Sequence, residues 1–237
     1  MTDTAIDRGL GAELAADLAA TAFTLANRFA AGATMWSIAP GWEPHAQHIA
    51  VEFIHPVIVG KRALPAVALT GPEVVDLVRV SARPGDIVAG VGGDDAQVAS
   101  VMRRGPAWGV TTVWIGSGER PAAGSADHVV WLDDPDPRVP ATGGFVLLYH
   151  LLWELTHVCF EHPGLLKSAA CSDDVCVTCS DEGRLGEVVA ASGDGVAVVR
   201  TARGVEQVAT ALVDPVGAGD LVLVHAGTAI SRLQERA

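Results

Sequence analysis

Apolar positions in the first two thirds of the chain switch between two periods. Leu10, Leu14, Leu18, Leu25 and Phe29 stand at helical spacing within an alanine-rich run, which predicts a long helix over 10–30. Gly32 breaks it, and Thr34 to Ala39 then reads as a strand closed by Pro40-Gly41. A second helix is predicted over 44–53. Short apolar runs bounded by turn residues predict strands over 66–69, 86–91, 110–115 and 129–132. The segments 72–80 and 95–104 between them have helical spacing, and 139–160 closes this part as another helix. Strand and helix in alternation imply an α/β domain with a parallel sheet and helices on both faces.

Beyond His162-Pro163-Gly164 the pattern changes. Residues 185–190, 196–201, 207–212 and 221–225 are β-rich, with Gly193-Asp194-Gly195 and Gly217-Ala218-Gly219 supplying turns. The expected organisation is a first domain over 1–165 and a second over 172–237, the second a small all-β barrel of oligonucleotide-binding (OB-like) topology. Asp133-Asp134-Pro135-Asp136-Pro137 reads as a solvated loop.

Composition narrows the function classes. With 49% hydrophobic residues the chain can bury a core, and no apolar run reaches the roughly 20 residues that span a bilayer. Met1-Thr2-Asp3-Thr4 carries no basic-then-apolar pattern of a signal peptide, so a cytoplasmic location without membrane attachment is expected. A net charge of -12 argues against nucleic-acid binding, which needs cations to displace counterions from phosphates.

All four cysteines lie between Cys159 and Cys179, and Cys171, Cys176 and Cys179 fall within nine residues. Such clustering without a secretory signal points to thiol or metal chemistry more than to a disulfide framework. Cys-x4-Cys-x2-Cys also begins a plant-type 2Fe-2S ferredoxin pattern, but no fourth cysteine follows Cys179. A structural zinc on these thiols and inert cysteines remain open alternatives.

Gly219-Asp220-Leu221-Val222-Leu223-Val224-His225-Ala226-Gly227, continuing through Thr228-Ala229-Ile230, resembles the signature of the HypC/HupF chaperones that mature nickel-iron hydrogenases. Gly186-Glu187-Val188-Val189 resembles the family's Gly-Lys-Val-Val. Val175-Cys176-Val177-Thr178-Cys179 stands where those chaperones begin Met-Cys-Leu-Ala-Ile-Pro. The resemblance implies that Cys176 is the essential family thiol, with Cys179 beside it as a second candidate, and that His225 supports it. It also implies iron carrying cyanide and carbonyl ligands as the transient cargo. The implied partners are a HypD-type scaffold and the precursor of the hydrogenase large subunit. The chemistry is coherent, because a low-valent iron prefers a soft thiolate. The cysteine is internal here, where the family has it next to the initiator methionine.

His45-Ala46-Gln47-His48-Ile49-Ala50-Val51-Glu52 resembles the Asp-Ala-x-His-Phe-Ala-x-Glu helix of the sugar isomerase (SIS) family, particularly the phosphoheptose isomerases. Gly85-Asp86-Ile87-Val88 matches a later Gly-Asp-Val-Leu. In place of the family's Gly-Asn-Gly-Gly-Ser stands Ala39-Pro40-Gly41-Trp42-Glu43, and in place of its phosphate cradle stands Val91-Gly92-Gly93-Asp94-Asp95-Ala96. Two carboxylates there suit a helix cap but repel phosphate, so ordinary phosphosugar isomerase activity is not expected. His48 and Glu52 project from one helical face. The resemblance implies that His157, on the last helix, joins them on a zinc, and Glu154-x-x-His157 has the spacing of helix-borne ligands. His150 lies on the same face as Glu154, and Tyr149 stands where the isomerases have a glutamine. Hydrogen-bonded or exposed polar residues without a metal are the alternative.

Together these features predict a two-domain hydrogenase-maturation chaperone, with no catalytic residues assigned. The SIS-like domain would serve oligomerisation, as a homodimer or higher, or docking. The alternative is a metal-dependent phosphosugar isomerase or sugar-phosphate-binding protein with a regulatory β domain.

Overall fold

The computed structural model describes residues 11–134 apart from 57, residues 136, 143–162, 164 and 166, and residues 183–233 apart from 214. Five parallel strands form the first sheet: β1 (Met35–Ile38), β2 (Ala66–Leu69), β3 (Ile87–Val91), β4 (Thr111–Ser117) and β5 (His128–Leu132), in the order β2-β1-β3-β4-β5. Alternate side chains serve opposite faces, as the period of two requires. Ile87, Ala89 and Val91 face a core built with helices α1 (Ala12–Ala30), α2 (Glu43–Ile54) and α5 (Gly143–Glu161). Ile38, Val88, Trp114 and Trp131 face α3 (Val74–Ser81) and α4 (Ala96–Trp108). Gly90 is required where α4 crosses β3, because a Cβ there would stand 2.6 Å from Met102 and 2.7 Å from Val98.

The α/β expectation is borne out, and the element boundaries differ in instructive ways. Helix α4 runs past Pro106 to Trp108 and closes at left-handed Gly109. The proline contributes no N–H to the helix ladder, and the turn beyond it delivers Trp108 to the neighbouring domain. Asp86 of the Gly-Asp motif is a structural residue: its carboxylate accepts from Thr34 N, Trp36 Nε1 and Arg83 N, tying the start of β3 to β1. Helix α5 is long and apolar enough to cross a membrane by length and composition. It lies instead against α1 and α2, with Phe145, Leu148, Tyr149, Leu152 and Trp153 buried in the core.

The second domain is a closed five-stranded barrel of β6 (Arg184–Ala191), β7 (Val196–Thr201), β8 (Gly204–Ala209), β9 (Leu221–His225) and β10 (Thr228–Leu233), in the order β10-β8-β7-β6-β9. Val188, Ala197, Val199, Val208, Val222, Val224 and Ala229 fill it. β8 begins earlier than its apolar residues suggest, because the tight Thr201–Gly204 hairpin sets its register on β7. β10 has no sequence counterpart among the predicted strands, since Ser231 and Arg232 interrupt its apolar pattern at a bulge.

The two domains share a buried polar junction. Glu187 on β6 is 2% exposed. It receives Arg79 Nη2 at 2.8 Å, Trp108 Nε1 at 2.7 Å and Arg104 Nη1 at 3.3 Å from α3 and α4. Arg200 of the barrel donates to Arg79 O at 2.8 Å, and Leu185 and Leu221 add apolar contact to the helical side. Removing one partner of a buried ion cluster strands charge in a low dielectric, so Glu187→Ala is expected to cost about 3–5 kcal/mol. Asp76→Ala removes an exposed partner of Arg79 and is expected to cost under about 1 kcal/mol. Urea unfolding of both variants checks the contrast, and equal midpoints would contradict it.

Candidate functional site

Helix α2 starts with Pro44 in its first turn, a position where the missing N–H costs nothing. Its next residues place His45, His48 and Glu52 at i, i+3 and i+7 on the side that meets α5. His45 is buried among Trp42, Phe145 and Tyr149. His48 Nδ1 lies 2.9 Å from Tyr149 Oη, and His48 Nε2 lies 3.2 Å from His150 Nε2. His150 Nε2 in turn stands 3.6 Å from Glu52 Oε2. One donor atom from each of His48, Glu52 and His150 falls within 4.8 Å of the others.

Electrostatics favour a neutral His48. Burial, then the neighbouring His150, lowers its pKa below the ordinary 6.5, against a smaller upward pull from Glu52. Burial and the Glu52 carboxylate push the Tyr149 phenol up to about 12, so it stays protonated.

The other two predicted metal residues lie elsewhere. His157 is 1% exposed, with Nδ1 2.9 Å from Trp153 O and Nε2 3.0 Å from Arg62 O. Both ring nitrogens therefore face carbonyl oxygens, and neither is open to a metal. Glu154 pairs with Lys61 at 3.3 Å, and Glu161 holds the same ammonium at 2.7 Å. The expected grouping of His157 and Glu154 with His48 and Glu52 is thus replaced by one with His150. The signal for His150 was present in its spacing of seven from His157, two turns along one helix face. Which of the two histidines meets α2 depends on the helix crossing, which no local pattern encodes.

At the carboxyl ends of β1 and β3, where strand order reverses, open α/β sheets commonly bind ligands. There Gly41, Trp42, Gly92, Asp94, Asp95 and Glu119 help line a cavity of about 500 Å³. Asp95 caps α4, its Oδ1 accepting from Gln97 N at 2.9 Å and Val98 N at 3.1 Å. The helix N-terminus that would cradle a phosphate is occupied by the chain's own carboxylate.

In the barrel, His225 ends β9 and pairs across a two-residue turn with Thr228. Ala226 (φ 47°) and Gly227 (φ 76°) are both left-handed, the conformation of a type I′ hairpin. The His-Ala-Gly stretch is therefore a tight turn that presents His225 at the barrel rim. The β6–β9 ladder pairs Arg184 with Val224, so the chain approaches β6 alongside the end of β9 that carries His225. Cys176 and Cys179 lie outside the described residues. Cys159, on α5, is buried, and burial raises its pKa, which suits an inert thiol.

The molecule is thus an SIS-like α/β domain joined to a small closed barrel, and comparison with known proteins supports both halves. Residues 184–237 match the model of the HupF/HypC family. A phosphoheptose isomerase from Nitratidesulfovibrio vulgaris (strain Miyazaki F) is 33% identical over 137 residues, covering 49% of this chain and 65% of that protein. The chain therefore spans under two thirds of that curated relative's length. The structure of a phosphoheptose isomerase from Francisella tularensis aligns with a TM-score of 0.53 at 17% identity, covering 62% of this chain and 90% of that one. This second likeness is one of fold. The chain combines a phosphoheptose isomerase-like domain with a HupF/HypC-type barrel.

The lowered pKa of His48 sets a pH dependence. The unfolded chain takes up this proton near pH 6.5 and the folded one only at lower pH. Stability is therefore fully present above 6.5 and falls as pH drops toward the folded value. In chelator-treated protein, His48→Gln is expected to flatten this part of the curve of urea midpoint against pH between about 7.5 and 5. An unchanged slope would contradict the assignment.

Proposed function

We propose that this chain is a hydrogenase-maturation chaperone. Its barrel carries an iron centre with cyanide and carbonyl ligands from a HypD-type scaffold to the precursor of a nickel-iron ([NiFe]) hydrogenase large subunit. The observation that carries this reading is the HupF/HypC match over 184–237, on a barrel whose rim holds the matching His225. Cys176 serves as the iron-binding or partner-binding thiolate, with Cys179 as the second candidate. The β6–β9 register puts residue 183, seven residues after Cys176 and four after Cys179 in sequence, next to the end of β9 that carries His225. Seven residues from Cys176 to Gly183 reach at most about 25 Å, and four from Cys179 about 14 Å, so both thiols can return to the rim. His225 stabilises the thiolate there.

A phosphosugar-isomerase reading has the 33% identity in its favour, and the crevice chemistry stands against it. Asp94, Asp95, Glu119, Asp134 and Asp136 line the place where a phosphate dianion would need donors. The first domain serves instead as a scaffold that self-associates. One face of α1 packs on α5, while Ala12, Ala15, Ala16 and Ala19 form an exposed small-residue stripe suited to close helix contact. Light scattering at micromolar concentration is expected to give at least a dimer, and a monomer would contradict this role.

Complementation tests the maturation reading. Cys176→Ala is expected to abolish hydrogenase maturation with the fold intact by circular dichroism, and Cys171→Ala to be milder. Normal maturation with Cys176→Ala would remove that thiol from the mechanism and leave Cys179 as the candidate.

A further inference from the structure

The structure assigns a binding site for a phosphate monoester to the cleft between α4 and the barrel. The cleft is a cavity of about 610 Å³, lined by Arg103 and Arg104 from α4, Gly219 and Asp220 from the turn before β9, and Arg232 from β10. In a chain of net charge -12, three guanidiniums meet one carboxylate there. Neither domain forms this place alone, and it is separate from the acidic crevice at the carboxyl ends of β1 and β3.

Three features of the cleft favour a phosphate. First, two of the guanidiniums are held in place before a ligand arrives. Arg104, with its side chain 11% exposed, donates from Nη1 to Gly219 O at 2.6 Å and from Nε to Ser100 Oγ at 3.2 Å. Arg232 donates from Nη1 to Pro215 O at 2.9 Å and from Nη2 to Asp220 Oδ1 at 3.0 Å. They flank consecutive residues of a turn that needs left-handed Gly219 (φ 88°). A fork fixed in this way loses little further freedom when it takes an oxyanion. Second, the charges call for a dianion. Asp220 is committed to Arg232 and, through Oδ2, to Gly217 N at 2.7 Å. Glu187, behind Arg104, is matched by Arg79 at 2.8 Å. Three lining cations less one lining carboxylate leave two positive charges, and a phosphate monoester carries about -1.5 to -2 at neutral pH. Its three terminal oxygens can each meet one guanidinium, whereas a carboxylate offers two oxygens. Third, there is room for an organic body. Arg103 and Leu233 also line an adjoining, more apolar groove of about 550 Å³ that continues over Met102, Pro106 and Leu185. A phosphate held among the arginines directs its ester group onto that surface.

The site is tested apart from the maturation reading, because the readout is ligand binding to the purified full chain. Calorimetric titration at low ionic strength uses phenyl phosphate, inorganic phosphate and benzoate. Phenyl phosphate is expected to bind with one equivalent, and inorganic phosphate more weakly because it lacks an apolar body. Benzoate, with the same ring and a single charge, is expected to bind at least about 10-fold more weakly than phenyl phosphate. Arg103→Gln and Arg232→Gln are each expected to weaken both phosphates about 10- to 100-fold, the worth of one hydrogen bond to a charged group. Leu233→Ala is expected to weaken phenyl phosphate about 3- to 10-fold and to leave inorganic phosphate unchanged. Arg28→Gln, changed at an exposed residue of α1 across the sheet, is expected to bind as its parent does. Circular dichroism checks the fold of each variant. Should Arg232→Gln disturb the turn that Asp220 closes, Arg103→Gln decides, since Arg103 is exposed on α4. No saturable uptake of phenyl phosphate, equal affinity for benzoate, or undiminished binding in Arg103→Gln would overturn the site. So would a loss in Arg28→Gln as large as that in Arg103→Gln, and phenyl phosphate unaffected by Leu233→Ala would overturn the placement of its ring.

Discussion

Burial of Glu187 is the constraint on which the two-domain arrangement rests. A carboxylate at 2% exposure is tolerable only with its charge and lone pairs matched, and the barrel alone does not match them. Arg79, Arg104 and Trp108 do so from the other domain. A short apolar contact through Leu185 and Leu221 is thereby given one orientation. A purely apolar junction would hold the domains together but would fix their relative rotation less sharply. The consequence reaches the barrel rim. Glu187 pairs with Leu221 at one end of the β6–β9 ladder, and Arg184 pairs with Val224 at the other. Fixing the first end fixes where the second presents His225.

The first domain shares its fold with a phosphoheptose isomerase, and two places in it are shaped by this chain's own side chains. At the sheet crevice, Asp95 caps α4 from within and leaves the rim acidic. Between α2 and α5, Tyr149 is engaged with His48, and His157 is sealed against Trp153 O and Arg62 O. His48 and Glu52 remain and meet His150 instead. Tyr149 and His157 are each 1% exposed and belong to the interior of the domain. Such side chains are accommodated as long as the core volume is kept.

Much of the fold was legible from periodicity. The Leu18–Leu25–Phe29 stripe predicts the buried face of α1, and runs such as Ala66–Leu69 and Ile87–Val91 coincide with strands because both faces of a parallel sheet are covered. Elements set by partners far away in sequence were not legible. Strand β10 carries Ser231 and Arg232 in a mixed pattern and exists because β9 and β8 pair with it. At the site, His48 and Glu52 could be named from their spacing on one helix. His150 could not be preferred to His157, because the choice lies in how α5 crosses α2. Glu187 gave no local sign of burial; its neighbours Val188 and Val189 suggest only a strand whose faces could be either way round. His225 was named through the resemblance of its Val-His-Ala-Gly stretch alone; the type I′ hairpin that carries it, like β10, was seen only in the structure.

The central claim is that the barrel holds an iron centre in transit, and infrared spectroscopy reads that centre directly. The full chain is isolated anaerobically from cells that are making active hydrogenase. It is predicted to show stretching bands of iron-bound cyanide and carbonyl, and Cys176→Ala from the same cells to lack them. An intact chain without those bands, recovered while hydrogenase in the same cells matures, would contradict the claim.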